Sequence, residues 1–249
     1  MKKTLALLLC VAMLASLTAC GFNVSVSTDD DKVRGEQNVV TDPTSGNASE
    51  NGGASENGGT PTNAPSANSG FDLGQTAGLN YENKFIGIGC NLDSNWTFKT
   101  EAEIRQMNQQ AANLAGEEYK EAVKNAAIIY DMAAAHSNMT DTISVNLEKS
   151  SEAQVATLDL TQAYQSLIPT IKTSYENMGF TNVTTTITNA MLGGKSIPVM
   201  KLSASISGIP FYAMSVMLKC SDGYVASISI GTIQTDGTDA LLAKFYWTN

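Results

Sequence analysis

Residues 198–233 read PVMKLSASISGIPFYAMSVMLKCSDGYVASISIGTI, and the rhythm of this stretch decides the fold class. Apolar residues alternate through Pro198–Ser207, with Met200, Leu202, Ala204 and Ile206 as the inward set. Gly208 turns the chain into Ile209–Cys220, whose inward set is Tyr212, Met214, Val216, Leu218 and Cys220. Ser221-Asp222-Gly223 is a hairpin turn into Tyr224–Ile233. Upstream, the β-branched run Val183–Met191 reaches Pro198 through Gly193-Gly194. Period-two alternation punctuated by glycine turns predicts consecutive antiparallel strands.

Working outward, Asp159 and Gln162 mark a helix start, with Leu160, Ala163, Leu167, Ile171, Tyr175 and Met178 as its buried stripe. Gly179 is its stop, and Pro169 inside it predicts a kink. Strands are expected at Ile128–Ala134 and Thr142–Glu148. Tyr81–Leu92 reads as one opening strand, with Ile86, Ile88, Cys90 and Leu92 on one face. Trp96 and Phe98 close a turn before a helix capped by Thr100, where Glu103 is placed for a capping box. Ile104, Met107, Ala111 and Leu114 continue that helix to Gly116, and a short helical stretch follows near Glu117–Lys124. A final short helix from Asp239 carries Leu241, Leu242, Phe245 and Trp247. The expected class is α+β, a single largely antiparallel sheet of about six or seven strands flanked by helices.

The first third of the chain is of another kind. Lys2 and Lys3 precede the apolar run Leu5–Ala15, which is shorter than the ~20 residues of a spanning helix. The run ends at Leu17-Thr18-Ala19-Cys20-Gly21, which resembles the lipobox of bacterial lipoproteins. The resemblance implies cleavage before Cys20 and a diacylglycerol on its thiol. Two acyl chains make such an anchor hold, because one alone binds only marginally at about 0.8 kcal/mol per CH₂. Residues 1–19 are then a signal peptide, and the protein is expected lipid-anchored on the extracytoplasmic face of a cell membrane. Residues 20–79 form a linker without hydrophobic periodicity, rich in Asn, Gly and Ser, in which Ala48–Gly53 is repeated as Ala54–Gly59. Such a composition cannot bury enough apolar surface to offset chain entropy, so disorder is expected there. Asp29-Asp30-Asp31 lacks the glycine and distal glutamate of a calcium loop and reads as a solvated run. Residues 80–249, about 170 of them, are enough for one core.

Two further observations bear on family. Tyr81-Glu82-Asn83-Lys84-Phe85-Ile86-Gly87-Ile88, then Leu92 and Trp96, then Thr100–Ile104, resembles a group of bacterial lipoproteins. The element order over 80–249 is similar to the Mog1/PsbP-like fold, an antiparallel sheet with helices on its faces. That resemblance implies binding or accessory roles rather than one shared chemistry, and fold alone does not fix function.

The formal charge is −9, and beyond the leader the arginines are Arg34 and Arg105, so nothing gathers cations against phosphates. Nucleic acid is not an expected partner. Gly193-Gly194-Lys195-Ser196 has Asn189 where a phosphate loop needs glycine, and it joins strands instead of opening a helix. His136 is the sole histidine, so any nucleophilic triad would have to use it. One histidine and distant cysteines give no metal-ligand spacing, and no cofactor or catalytic residue is expected. Cys90 and Cys220 both fall on predicted core faces, with two readings open. A disulfide closing about 130 residues would contribute ~4–5 kcal/mol in the chain-entropy picture; otherwise both are buried thiols acting as small hydrophobes. Lys201, Ser203, Ser205, Ser215, Ser227 and Ser229 read as one outward face able to cradle a glycan, peptide or envelope protein, to which Tyr81 and Trp96 would add stacking surfaces. The expected function is a non-enzymatic binding or accessory module of the cell envelope. The alternatives are a transporter's solute-binding lipoprotein and an envelope hydrolase.

Overall fold

The computed structural model describes residues 72–106 and 128–248. Cys20, the rest of the leader and the Asn/Gly/Ser-rich tract lie outside them, as do Gly116 and the helical stretch expected at Glu117–Lys124. Among the described residues the strands are β1 (Gln75–Ala77), β2 (Asn80–Asn83), β3 (Ile88–Asn91), β4 (Trp96–Phe98), β5 (Ile128–His136), β6 (Thr142–Lys149), β7 (Thr181–Leu192), β8 (Lys195–Ile206), β9 (Ile209–Lys219), β10 (Tyr224–Ile233) and β11 (Phe245–Trp247). The helices are α1 (residues 101–106), α2 (Glu152–Thr157), α3 (Leu160–Asn177) and α4 (Thr238–Leu242). The class is α+β, but there are two antiparallel sheets instead of the single one expected. A seven-stranded sheet runs β4-β5-β6-β10-β9-β8-β7 and a four-stranded sheet runs β1-β2-β3-β11.

The second sheet comes from segments too short to show a period. Asn83 turns the expected single strand Tyr81–Leu92 back on itself: its side-chain oxygen accepts from Ile86 N–H at 2.8 Å and its carbonyl from Gly87 N–H at 2.9 Å. The two arms pair antiparallel, Tyr81 opposite Cys90. β1 adds residues assigned to the linker, so the fold starts before residue 80. At the other end Phe245–Trp247 are a strand paired with β3, where a continuing helix was expected.

Both faces of the large sheet are covered, which corrects the simple inside/outside reading. Two residues, Ser207 and Gly208, separate β8 from β9, so even-numbered residues of β8 face odd-numbered ones of β9: Met200 opposite Ser215, Lys201 opposite Met214. Met200, Leu202 and Ala204 therefore join Phe211, Ala213 and Met217 in a core against α3. Met214, Val216 and Leu218 point the other way, into a core shared with Ile143, Val145, Ile228 and Ile230 and with Cys90 and Phe245 of the small sheet.

α3 forms where its sequence predicts. Asp159 caps it by accepting from Gln162 N–H at 3.0 Å. Tyr164, Leu167, Ile171 and Tyr175 are its buried stripe, each contributing roughly 1.5–3 kcal/mol by leaving water. Gly179, at φ +86°, supplies the left-handed residue that ends it, and Phe180 N–H reaches back to the Tyr175 carbonyl at 3.1 Å. Pro169 lies within the helix. α2 went unforeseen, although Ser151 and Gln154 make a reciprocal capping box. At the sheet's outer edge β7 presents twelve residues without a charge or a proline.

Candidate functional site

β5 carries one acidic residue, Asp131, at a register shift between Tyr130 and Met132. An extra residue at a β-bulge is re-aimed relative to its neighbours. Here its carboxylate meets the small sheet. Oδ1 accepts from Gly74 N–H at 2.7 Å, and Oδ2 accepts from Asn83 Nδ2 at 2.7 Å and from the Tyr81 hydroxyl. Burial pushes the Asp131 carboxyl above the ordinary carboxylate range, against the pull of these three donors. Burial also raises the Tyr81 phenol, with the Asp131 charge adding to it, so the phenol stays protonated and donates. A Cβ on Gly74 would stand 2.3 Å from the Tyr81 ring and 2.7 Å from Asp131 Oδ2; only glycine fits.

Beside this cluster lies a cleft of about 440 Å³ lined by Gly74–Thr76, the Phe98–Thr100 corner, Asp131 and Met132. Thr100 and Glu103 form the expected capping box there: Glu103 N–H donates to Thr100 Oγ1 at 3.3 Å and Thr100 N–H to Glu103 Oε2 at 2.8 Å. Lys99 Nζ sits 3.1 Å from Glu103 Oε1, so its charge is engaged locally. A carboxylate already holding three donors is a poor general base, because proton abstraction needs a lone pair aimed at substrate.

Of the residues singled out from sequence, Tyr81 belongs to this cluster, as a buried donor to Asp131, and the others lie elsewhere. Tyr81 is fully buried and Trp96 is 4 % exposed, so neither is a stacking surface. The Trp96 ring packs edge-on against His136, centroids 5.3 Å apart. His136 Nδ1 accepts from Asn138 N–H at 3.3 Å in the turn after β5. The six small or polar residues read as one face fall on two. Lys201, Ser203 and Ser205 share one side of β8, half-buried, with Lys201 ion-paired to Asp239 at 2.6 Å and Ser203 Oγ 2.8 Å from Thr184 Oγ1. The Ser205 carbonyl accepts from the Thr181 hydroxyl at 3.4 Å. Ser215, Ser227 and Ser229 stand on the opposite side and are buried.

Cys90 and Cys220 are free thiols, not a disulfide. Burial pushes Cys90 up to about 12 and Cys220 up to about 11. Among the described residues no group of three His, Cys, Asp or Glu gathers as a metal site, and no helix is long and apolar enough to cross a membrane.

Sequence reading missed Asp131, although a lone carboxylate within Ile128-Ile129-Tyr130-Asp131-Met132-Ala133 is a visible interruption. It also missed the burial of the polar alternates in Thr142-Ile143-Ser144-Val145-Asn146-Leu147-Glu148. All of Thr142, Ser144 and Asn146 are buried, and Glu148, on the same face, is raised to about 8 by burial.

No family model and no curated protein matches the chain. Among solved structures it is similar to LpqN of Mycobacterium tuberculosis, described as involved in cell envelope biogenesis, at 12 % identity over 65 % of this chain and 83 % of that one, with a TM-score of 0.34.

Proposed function

We propose that this protein is a lipid-anchored, extracytoplasmic module of the cell envelope that binds a ligand or partner and catalyses no reaction. The observation that carries the anchoring is Leu17-Thr18-Ala19-Cys20-Gly21 closing a short apolar run behind Lys2 and Lys3. A membrane peptidase needs small residues before the modified cysteine, and Thr18 and Ala19 supply them. Support for binding is the cleft lined by Gly74–Thr76, Phe98–Thr100 and Asp131, whose wall the Gly74, Tyr81 and Asn83 hydrogen bonds to Asp131 hold in place.

Expression of the full chain in a bacterium fed an alkyne-bearing fatty acid tests the anchor. Wild type is expected to carry the label, lack residues 1–19 and sediment with membranes, while Cys20→Ser is unlabelled. Recovery of an unlabelled chain with its first residues intact in the cytosol overturns the reading. For binding, affinity capture from detergent-solubilised membranes is expected to give a partner whose recovery falls with Asp131→Ala.

A further inference from the structure

Among the described residues four strands end the two sheets: β1 and β11 in the small one, β4 and β7 in the large one. The first three are three residues long, and β7 is twelve. An end strand leaves a row of N–H and C=O groups open, and natural proteins blunt it with shortness, charge, proline or a bulge. β7 has a bulge only at its start, between Thr181 and Thr184. From Thr184 to Leu192 it runs in unbroken register with β8, without a charge or a proline. Gly193 and Gly194 close a two-residue turn, so Leu192 and Lys195 flank it as a pair exchanging both backbone hydrogen bonds. Alternation then gives the even-numbered residues of this stretch to β8. It turns the N–H and C=O of Thr185, Ile187, Asn189 and Met191 to the open side. Pro198 lies opposite Asn189, in a pair that exchanges none, so its missing N–H costs this ladder nothing. The neighbourhood is neutral as well. From Leu160 to Leu192 the charged residues are Lys172 and Glu176, which pair with each other at 3.8 Å.

We propose that β7 is a dimerisation edge, pairing antiparallel with β7 of a second copy of this chain so that the two large sheets become one. The centre of the unbroken stretch is Thr188, and a two-fold axis there sets Thr188 opposite Thr188. Ile187 then stands opposite Asn189, Thr186 opposite Ala190 and Thr185 opposite Met191. Every outward N–H and C=O of the four odd-numbered residues meets a partner in this register, about eight hydrogen bonds in all. Met191, 57 % exposed in the single chain, gains a neighbour across the seam. Charge selects the occupant. The chain carries a formal −9, which keeps copies apart wherever acidic surfaces face each other. This edge brings no charge against its own image, and the threonines on the axis suit one another as a cross-strand pair. The cleft beside Asp131 is lined from β4 and β5, at the opposite end of the large sheet, so pairing through β7 leaves it open.

Light scattering on the full chain in detergent, with the micelle's mass subtracted, tests this. The expected protein mass is twice that of one chain. Asn189→Pro removes an N–H that points outward and no bond to β8, so it is expected to halve the mass and leave the circular dichroism unchanged. Should that variant fail to fold, Thr188→Lys serves, because it sets like charges across the axis and is likewise expected to halve the mass. Oxidation reads the register. Thr188→Cys is expected to link two copies, since residues facing each other in such a pair have Cα atoms about 4.5 Å apart. Thr184→Cys, roughly 27 Å from its counterpart, is expected to stay unlinked. A wild type with the mass of one chain, or a dimer that both substitutions leave whole, overturns the proposal. So does Thr184→Cys linking as readily as Thr188→Cys, or Thr188→Cys linking to a different protein instead of to itself.

Discussion

At the scale of single residues, Glu148 makes stability depend on pH. Its carboxyl is raised to about 8 in the fold and returns to ~4.3 in the unfolded chain. Between those values the folded state holds a proton that the unfolded state has released. Stability therefore falls as pH rises across that window, by about 1.4 kcal/mol per unit from this group, and levels off above it. Glu148→Gln is expected to flatten the slope and to be the more stable protein at pH 7, as urea titrations at pH 5, 6 and 7 will show. The thiols give a second expectation. With pKa values near 12 and 11, Cys90 and Cys220 are expected to resist iodoacetamide at pH 8 until the protein is denatured, and intact mass to be the same with and without reductant. Much at this scale was hidden in the sequence. Alternation along Thr142–Glu148 says only that two faces differ; what lies over each face is decided by segments distant in the chain. Asp131 is hidden for a related reason, because its donors come from Gly74, Tyr81 and Asn83 in segments read as linker and as one straight strand.

Elements were legible where they are long. β7 to β10 and α3 fall where period-two and helical spacing put them, and their turns follow from Gly193-Gly194, Gly208 and Asp222-Gly223. Pairs of three- and four-residue strands carry no readable period, which is why β2, β3 and β11 were not resolved as a sheet. One helix–sheet joint was beyond sequence altogether. β8 pairs with β9 only from Val199 onward, Pro198 having no N–H to offer. Beyond that point Tyr164 of α3 inserts its hydroxyl, accepting from Met217 N–H at 2.7 Å and donating to the Ser215 carbonyl at 2.9 Å. The side chain thus continues a ladder that the neighbouring strand has left. Tyr164→Phe keeps the ring but strands the Met217 N–H, which has no partner on β8, in the interior, at about 1–3 kcal/mol if unmet. A fall in the urea midpoint with an unchanged slope is the expected readout.

Over the whole folded unit, Asp131 ties the large sheet to the small one. Asp131→Ala would leave the Tyr81 hydroxyl, the Asn83 amide and the Gly74 N–H without their shared acceptor, and a loss on the order of 3 kcal/mol is expected in chemical unfolding. The small sheet has a further consequence, through β11. Phe245 is buried opposite Cys90, and Lys244 ion-pairs with Asp93, 151 positions earlier. Synthesis runs from one end, so β3 emerges long before the strand that must lie beside it. Until Phe245–Trp247 arrive, the core around Ile88 and Cys90 lacks its cover along that seam. A version stopped at residue 243 is expected to stay open to protease however long it is given.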